Sequence, residues 1–129
     1  MKYRRLEVTN FRPFYGTTTI DFSTDPDRPV TLVFGANGGG KTSLLTAMYW
    51  CLFGNTDVDP NTSAEPEKLF NLVAQREIAK GESGTLSVEL ELETNSIVWR
   101  MRRSIKADKD LNGELLFRES AVLTEIEND

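Results

Sequence analysis

Short alternating stretches flank one longer apolar segment in this chain. Residues 3–9 place Leu6 and Val8 on one face, as a strand does. Residues 17–22 alternate again, with Thr18, Ile20 and Phe22 inward and Thr17, Thr19 and Asp21 outward. Between them, Asn10-Phe11-Arg12-Pro13-Phe14-Tyr15-Gly16 is a turn punctuated by Pro and Gly, so the two runs are expected to pair antiparallel. A second turn at 25–29 leads into Val30-Thr31-Leu32-Val33-Phe34, whose near-continuous apolar character fits a strand covered on both faces.

Residues 42–53 carry helix-forming residues, and Gly54 stands where a helix-ending glycine belongs. Apolar residues run almost all the way round this helix, which predicts that it is buried. Residues 57–66 are a polar loop. A short helix is predicted at 67–73, with Asn61 or Ser63 near its start, and 75–84 reads as polar and mobile.

Residues 85–93 and 97–105 predict a hairpin about Thr94-Asn95-Ser96. Keeping the apolar faces together sets its register: Leu92 lies opposite Trp99 and Leu90 opposite Met101. The same register sets Glu91 against Arg100 and Glu89 against Arg102. A second hairpin is predicted from 114–117 and 121–126.

The 129 residues suit one domain, and its bounds are taken as 1–129. There is no histidine, which excludes His-based acid–base chemistry and the common zinc sites. A metal would need oxygen ligands, which points to Mg²⁺. The single cysteine, Cys51, excludes an internal disulfide and sits in an apolar run as a buried thiol. The net charge of −5 makes the whole surface a poor match for DNA, although local basic patches could still touch phosphates. The basic start is followed by no apolar core of a signal peptide, and no run is long enough to cross a bilayer, so no membrane partner and a cytoplasmic location are expected.

The chemistry concentrates in Gly35-Ala36-Asn37-Gly38-Gly39-Gly40-Lys41-Thr42, the pattern G-x-x-x-x-G-K-[ST] between a predicted strand and a predicted helix. Glycines at 38, 39 and 40 let successive N–H groups converge into an anion nest. The helix start adds free N–H groups and partial positive charge. Lys41 reaches the outer phosphates, and the Thr42 hydroxyl is a Mg²⁺ ligand. The expected cofactors are ATP and Mg²⁺. Hydrolysis also needs an acidic residue closing a second buried strand. No such stretch occurs, so no catalytic residue is assigned and the chain reads as one side of a site completed elsewhere.

Asn10-Phe11-Arg12, the strand Thr18-Thr19-Ile20-Asp21-Phe22 and the loop continuing into Ser43-Leu44-Leu45 resemble the N-terminal lobe of SMC-like, ABC-type ATPase heads. Tyr49-Trp50-Cys51-Leu52-Phe53-Gly54 and Phe11-Arg12-Pro13-Phe14-Tyr15-Gly16 are most similar to the DndD branch, which serves DNA phosphorothioate modification and phage defence. The resemblance implies an α/β P-loop NTPase lobe, with a mixed sheet around the P-loop helix and antiparallel hairpins. It implies nucleotide binding by Arg12, Asn37, Gly38, Gly39, Gly40, Lys41, Thr42 and Ser43. It further implies a missing C-terminal lobe beyond a coiled coil, a second head that dimerises on ATP, and service to DNA repair, modification or defence through the full assembly. Alone, the chain is expected to bind ATP weakly at most and to turn over negligibly. Two other readings stand beside this one: a non-hydrolysing, nucleotide-gated assembly module, and a small complete kinase or GTPase. The latter lacks an [NT]-K-x-D guanine motif, since Ile105 precedes Lys106-Ala107-Asp108.

Several tempting residues have simpler accounts. Arg100, Arg102, Arg103 and Lys106 could touch DNA phosphates, but the register pairs the first two with glutamates across the hairpin. Lys2, Arg4 and Arg5 are equally well a solvated strand end. Trp50 and Trp99 belong to the core. Tyr15 could stack near a base or simply be exposed. Gln75 stands too early for the family's later site glutamine, and Asp57, Asp59 and Glu65 read as solvated.

Overall fold

In the computed structural model the described residues are 2–22, Asp27 and 40–126. The predicted turn at 25–29 (Asp27 apart), the strand at 30–34, the P-loop residues Gly35, Ala36, Asn37, Gly38 and Gly39, and the chain end 127–129 lie outside them. The elements run β1 (Lys2–Thr9), β2 (Thr17–Asp21), α1 (Gly40–Phe53), α2 (Pro66–Leu69), α3 (Leu72–Glu77), β3 (Ser83–Thr94), β4 (Ile97–Lys109) and β5 (Leu115–Ile126). The strands form one sheet in the order β2-β1-β3-β4-β5. Among the described residues every pairing is antiparallel, where a mixed sheet was expected. The strand expected to bring the α/β crossover into the sheet is the one at 30–34.

The hairpin register follows the hydrophobic pattern. Leu92 pairs with Trp99, Leu90 with Met101, Glu91 with Arg100 and Glu89 with Arg102. Asn95 and Ser96 both have positive φ, 52° and 65°, as a two-residue turn matched to strand twist requires. On the outer face Arg100 reaches both glutamates, Glu91 at 2.9 Å and Glu89 at 3.2 Å. Its guanidinium pKa is raised, chiefly by the hydrogen bond to Glu91. Arg102, expected to pair with Glu89, is exposed instead. Arg100 sits between the two carboxylates and takes both. Such surface pairs contribute little each, on the order of 0–1 kcal/mol.

Two other expectations change. The predicted second hairpin is a single strand, β5, paired along its whole length with β4. The turn lies earlier, at Asp110, whose carboxylate accepts from the N–H groups of Asn112 and Glu114. Arg118 and Glu119 interrupt the apolar pattern only because both faces of this edge strand are largely exposed. The short helix predicted at 67–73 is two helices broken at Phe70 and Asn71. Phe70 is drawn into the core and bridges Phe11, and the Asn71 side chain caps α3 by accepting from Ala74 N–H at 3.0 Å. Gln75 and its neighbours to Glu77 are therefore helical rather than loose. The Gln75 amide donates to the carbonyls of Glu67 and Phe70, which leaves it a structural tie.

The core lies between α1 and one sheet face. It joins Leu6 and Val8, Ala47, Trp50 and Cys51, Leu69 and Phe70, and Leu86, Val88, Leu90 and Ile105. Cys51 lets the helix approach closely, and its thiol donates to the Val88 carbonyl at 3.3 Å. The helix is not buried all round. Leu45 is 54% and Phe53 61% exposed, because a helix on a single sheet face covers only one side of itself.

Candidate nucleotide site

Helix α1 begins at Gly40, so Lys41 and Thr42 occupy its first turn, where unpaired N–H groups and positive dipole concentrate. Both side chains are exposed, and Ser43 is half-buried. No acidic residue lies in that turn, so nothing on the helix itself competes with an anion. Asn37, Gly38 and Gly39 lie outside the described residues. Among the described residues no group of three or more His, Cys, Asp or Glu could hold a metal. The donors present suit Mg²⁺ held by a hydroxyl and by phosphate oxygens, rather than in a protein cage.

Arg12 is built differently. It and Asn10 have positive φ, 52° and 54°, two left-handed residues in three. Asn tolerates that conformation; Arg does so at a cost of roughly 1–2 kcal/mol. The surroundings hold it in place. Arg12 N–H donates to the Leu69 carbonyl at 2.8 Å, Asn71 Nδ2 donates to the Arg12 carbonyl at 2.8 Å, and Asn71 N–H donates to the Asn10 carbonyl at 2.8 Å. The Asn10 carboxamide accepts from Gly16 N–H and donates to the Thr85 carbonyl, which closes the turn. The hydrogen bonds to Leu69 and Asn71 over-determine this backbone and so hold the left-handed conformation.

The Arg12 guanidinium donates to the Lys68 carbonyl at 3.4 Å. Its charge also reaches Asp59, whose pKa is lowered chiefly by the Thr62 hydroxyl and the Asn61 N–H, with Arg12 contributing less. The polar loop expected at 57–66, with Asp59 as a solvated residue, thus comes up beside Arg12 in an ordered form. Thr62 Oγ1 donates to Asp59 at 2.6 Å, and the Thr56 hydroxyl donates to the Thr62 carbonyl. Asp57 and Glu65 stay exposed. The turn meets α1 through Phe11, whose ring lies 5.7 Å from that of Trp50. Trp50 is nine residues beyond Lys41, about 13.5 Å along the axis. The structure therefore joins the Arg12 turn to the rear of the helix, with the Arg12 guanidinium on the Lys68 carbonyl.

Tyr15 is exposed and its hydroxyl donates to Glu77. That hydrogen bond is the main reason the phenol's pKa is raised. The groove beside it, about 360 Å³, is rimmed by Glu77 and Glu82, and two carboxylates make it unfit for a polyphosphate. Arg103, grouped by sequence with possible DNA contacts, lies on the core side of β4, only 16% exposed, and donates to the Cys51 carbonyl. A signal for this was present: Arg103 falls at an apolar-face position between Met101 and Ile105. Asn71, placed between two short helices, left no comparable signal.

In the sequence, Gly38, Gly39 and Gly40 precede Lys41 and Thr42 in the first turn of α1, the pattern of a P-loop. Residues 5–128 match the family described as AAA domain, and the chain belongs to that family. It is 35% identical over 86 residues to the SbcC component of the nuclease SbcCD from Vibrio cholerae, covering 61% of this chain and 8% of that protein. To the same component from Treponema pallidum it is 32% identical over 105 residues, covering 81% and 9%. To the DNA double-strand break repair Rad50 ATPase of Halobacterium salinarum it is 37% identical over 59 residues, covering 46% and 6%. The chain thus spans less than a tenth of the length of these relatives. These likenesses agree with the SMC-like ATPase lobe inferred from the motifs. No described helix is long and apolar enough to cross a membrane.

Proposed function

We propose that this chain binds Mg·ATP as one lobe of an SMC-like ATPase head that works in DNA repair. The observation that carries the reading is the start of α1, where Lys41 and Thr42 stand exposed with no carboxylate in the turn. Asn37, Gly38, Gly39 and Gly40 form the phosphate nest, Lys41 pairs with the outer phosphates, Thr42 holds Mg²⁺ and Ser43 lines the helix start. Arg12 swings from the Lys68 carbonyl to a phosphate, and Asp59 screens its charge until then. The bound nucleotide supplies the phosphoanhydride whose cleavage drives the assembly. This chain's share is to hold and orient it.

The exposed apolar positions Leu45 and Phe53 support a lobe that packs against more of its own head. The rest of the site comes from that C-terminal lobe and from a second head, and DNA is engaged by the whole assembly in the cytoplasm. DNA repair ranks ahead of the DNA modification and phage defence of the DndD branch, because the relatives named above are a nuclease component and a repair ATPase. The DndD reading keeps second place on the segment from Tyr49 to Gly54.

The test is titration with Mg·ATP or a fluorescent analogue. Lys41→Ala is expected to weaken binding by about tenfold to a hundredfold, from the loss of charge-assisted bonds worth about 1.5–3 kcal/mol. Equal affinity of the variant and the parent chain would sink the reading.

A further inference from the structure

We infer that Arg103 is the positioning residue of the nucleotide helix, holding its rear end and, through Trp50 and Phe11, setting where Arg12 stands. This rests on the triphosphate reading above. The C-terminal end of a helix carries partial negative charge and carbonyls without partners. Helix α1 has no basic residue in its last turn to answer that charge. Arg103 supplies the cation from the neighbouring strand. Its Nε donates to the Cys51 carbonyl at 3.2 Å, its Nη1 pairs with Glu119 of β5 at 3.4 Å, and its guanidinium carbon lies 5.9 Å from the centre of the Trp50 ring.

Gly54 makes room for this arrangement. It turns the chain at φ 76°, and a Cβ there would come within 3.2 Å of the guanidinium. One arginine thus touches the helix end, the residue that ends the helix, and the ring on which the Arg12 turn rests. Contacts run without a gap from Glu119 through Arg103, Trp50 and Phe11 to the strained turn at Arg12. A shift of Arg103 moves Trp50, and a shift of Trp50 moves the turn. Arg12 then loses its aim although every residue that would touch the nucleotide is intact.

The experiment measures the dissociation constant for Mg·ATP in a Trp99→Phe background, where Trp50 is the remaining tryptophan and reports on its own surroundings. The parent, Arg103→Met, Arg103→Lys, Arg12→Ala and the double variant Arg12→Ala/Arg103→Met are compared. Arg103→Met is expected to weaken binding about five- to tenfold, with a changed Trp50 emission, and Arg103→Lys to recover part of it. With Arg12 already removed, the same Arg103→Met change is expected to cost less than twofold, since there is then little left to aim. A merely structural Arg103 would cost the same factor in both backgrounds, and that result overturns the inference, as does unchanged binding by Arg103→Met. If Arg103→Met does not fold, Glu119→Gln takes its place, with an expected two- to threefold loss and the same dependence on Arg12. Absence of Mg·ATP binding by the parent chain even at millimolar nucleotide, where a weak site would still fill, would overturn the triphosphate reading instead, a separate outcome.

Discussion

At its C-terminal end α1 is held by Trp50 against Phe11, by Cys51 against the carbonyl of Val88, and by Arg103 over the carbonyl of Cys51. At its N-terminal end Lys41 and Thr42 stand exposed, and Leu45 one turn on is more than half exposed. The two ends of one helix thus carry opposite assignments. One is fixed from three sides on its inner face, with Trp50 and Cys51 buried, although Phe53 on the outer side stays exposed. The other keeps its donors in water, available to an anion. A ligand gains most from a donor array that does not shift on binding, because orientation is then settled beforehand. Anchoring the rear end steadies the front without filling it.

The most forceful way to break this contrast is truncation at each end. Trp50→Ala removes a fully buried indole that contacts Phe11 and Arg103, and is expected to cost about 3–5 kcal/mol of folding stability. Leu45→Ala, at the exposed front, is expected to stay within about 0.5 kcal/mol of the parent. Urea unfolding of the two variants checks it. Comparable losses would mean that the front of the helix is packed as firmly as the rear.

A pH series sharpens the same contrast from the buried side. Burial pushes the Cys51 thiol up to about 11, against an ordinary 9.0, with the Arg103 charge and backbone hydrogen bonds pulling weakly the other way. Folding therefore favours the neutral thiol. That stabilisation is fully present below pH 9 and is lost as pH rises from 9 to about 11, a change of at most roughly 2–3 kcal/mol. Lysines and tyrosines titrate in the same range, so the reading is the difference between the parent and Cys51→Ala. The two stability curves should converge across that window. Curves that stay parallel would place the thiol in water.

The contrast was half legible in the sequence. The front of the helix announced itself, because glycines, lysine and threonine at fixed spacing have one common physical use. The hairpin register was equally readable, since a period of two leaves Leu92 and Leu90 only one way to face Trp99 and Met101. The rear was hidden for two reasons. Arg103 stands among basic neighbours, and its charge masks its place on the apolar face opposite Val88. The network around Arg12 depends on Leu69 and Asn71, about sixty residues away, and no local pattern reports a contact of that separation. The all-round apolar character of α1 likewise spoke for burial, yet one sheet face can cover only one side of a helix.

The smallest expected effect tests the junction itself. Gly54 ends α1 at φ 76°, and its N–H donates to the Trp50 carbonyl at 2.7 Å, closing the last turn. Gly54→Ala puts a methyl into the left-handed region, at about 1–2 kcal/mol. The same methyl would sit 3.2 Å from two guanidinium atoms of Arg103, so Arg103 must yield by a few tenths of an ångström. Backbone strain alone would lower stability and leave nucleotide affinity unchanged in the folded fraction. If the rear anchor matters to the front, affinity falls as well, by roughly two- to threefold, and Arg103→Met removes that extra loss by taking away the group being pushed. Calorimetric titration of Gly54→Ala with and without Arg103→Met separates the two. A loss of stability with no loss of affinity in either background would show that the two ends of the helix do not communicate.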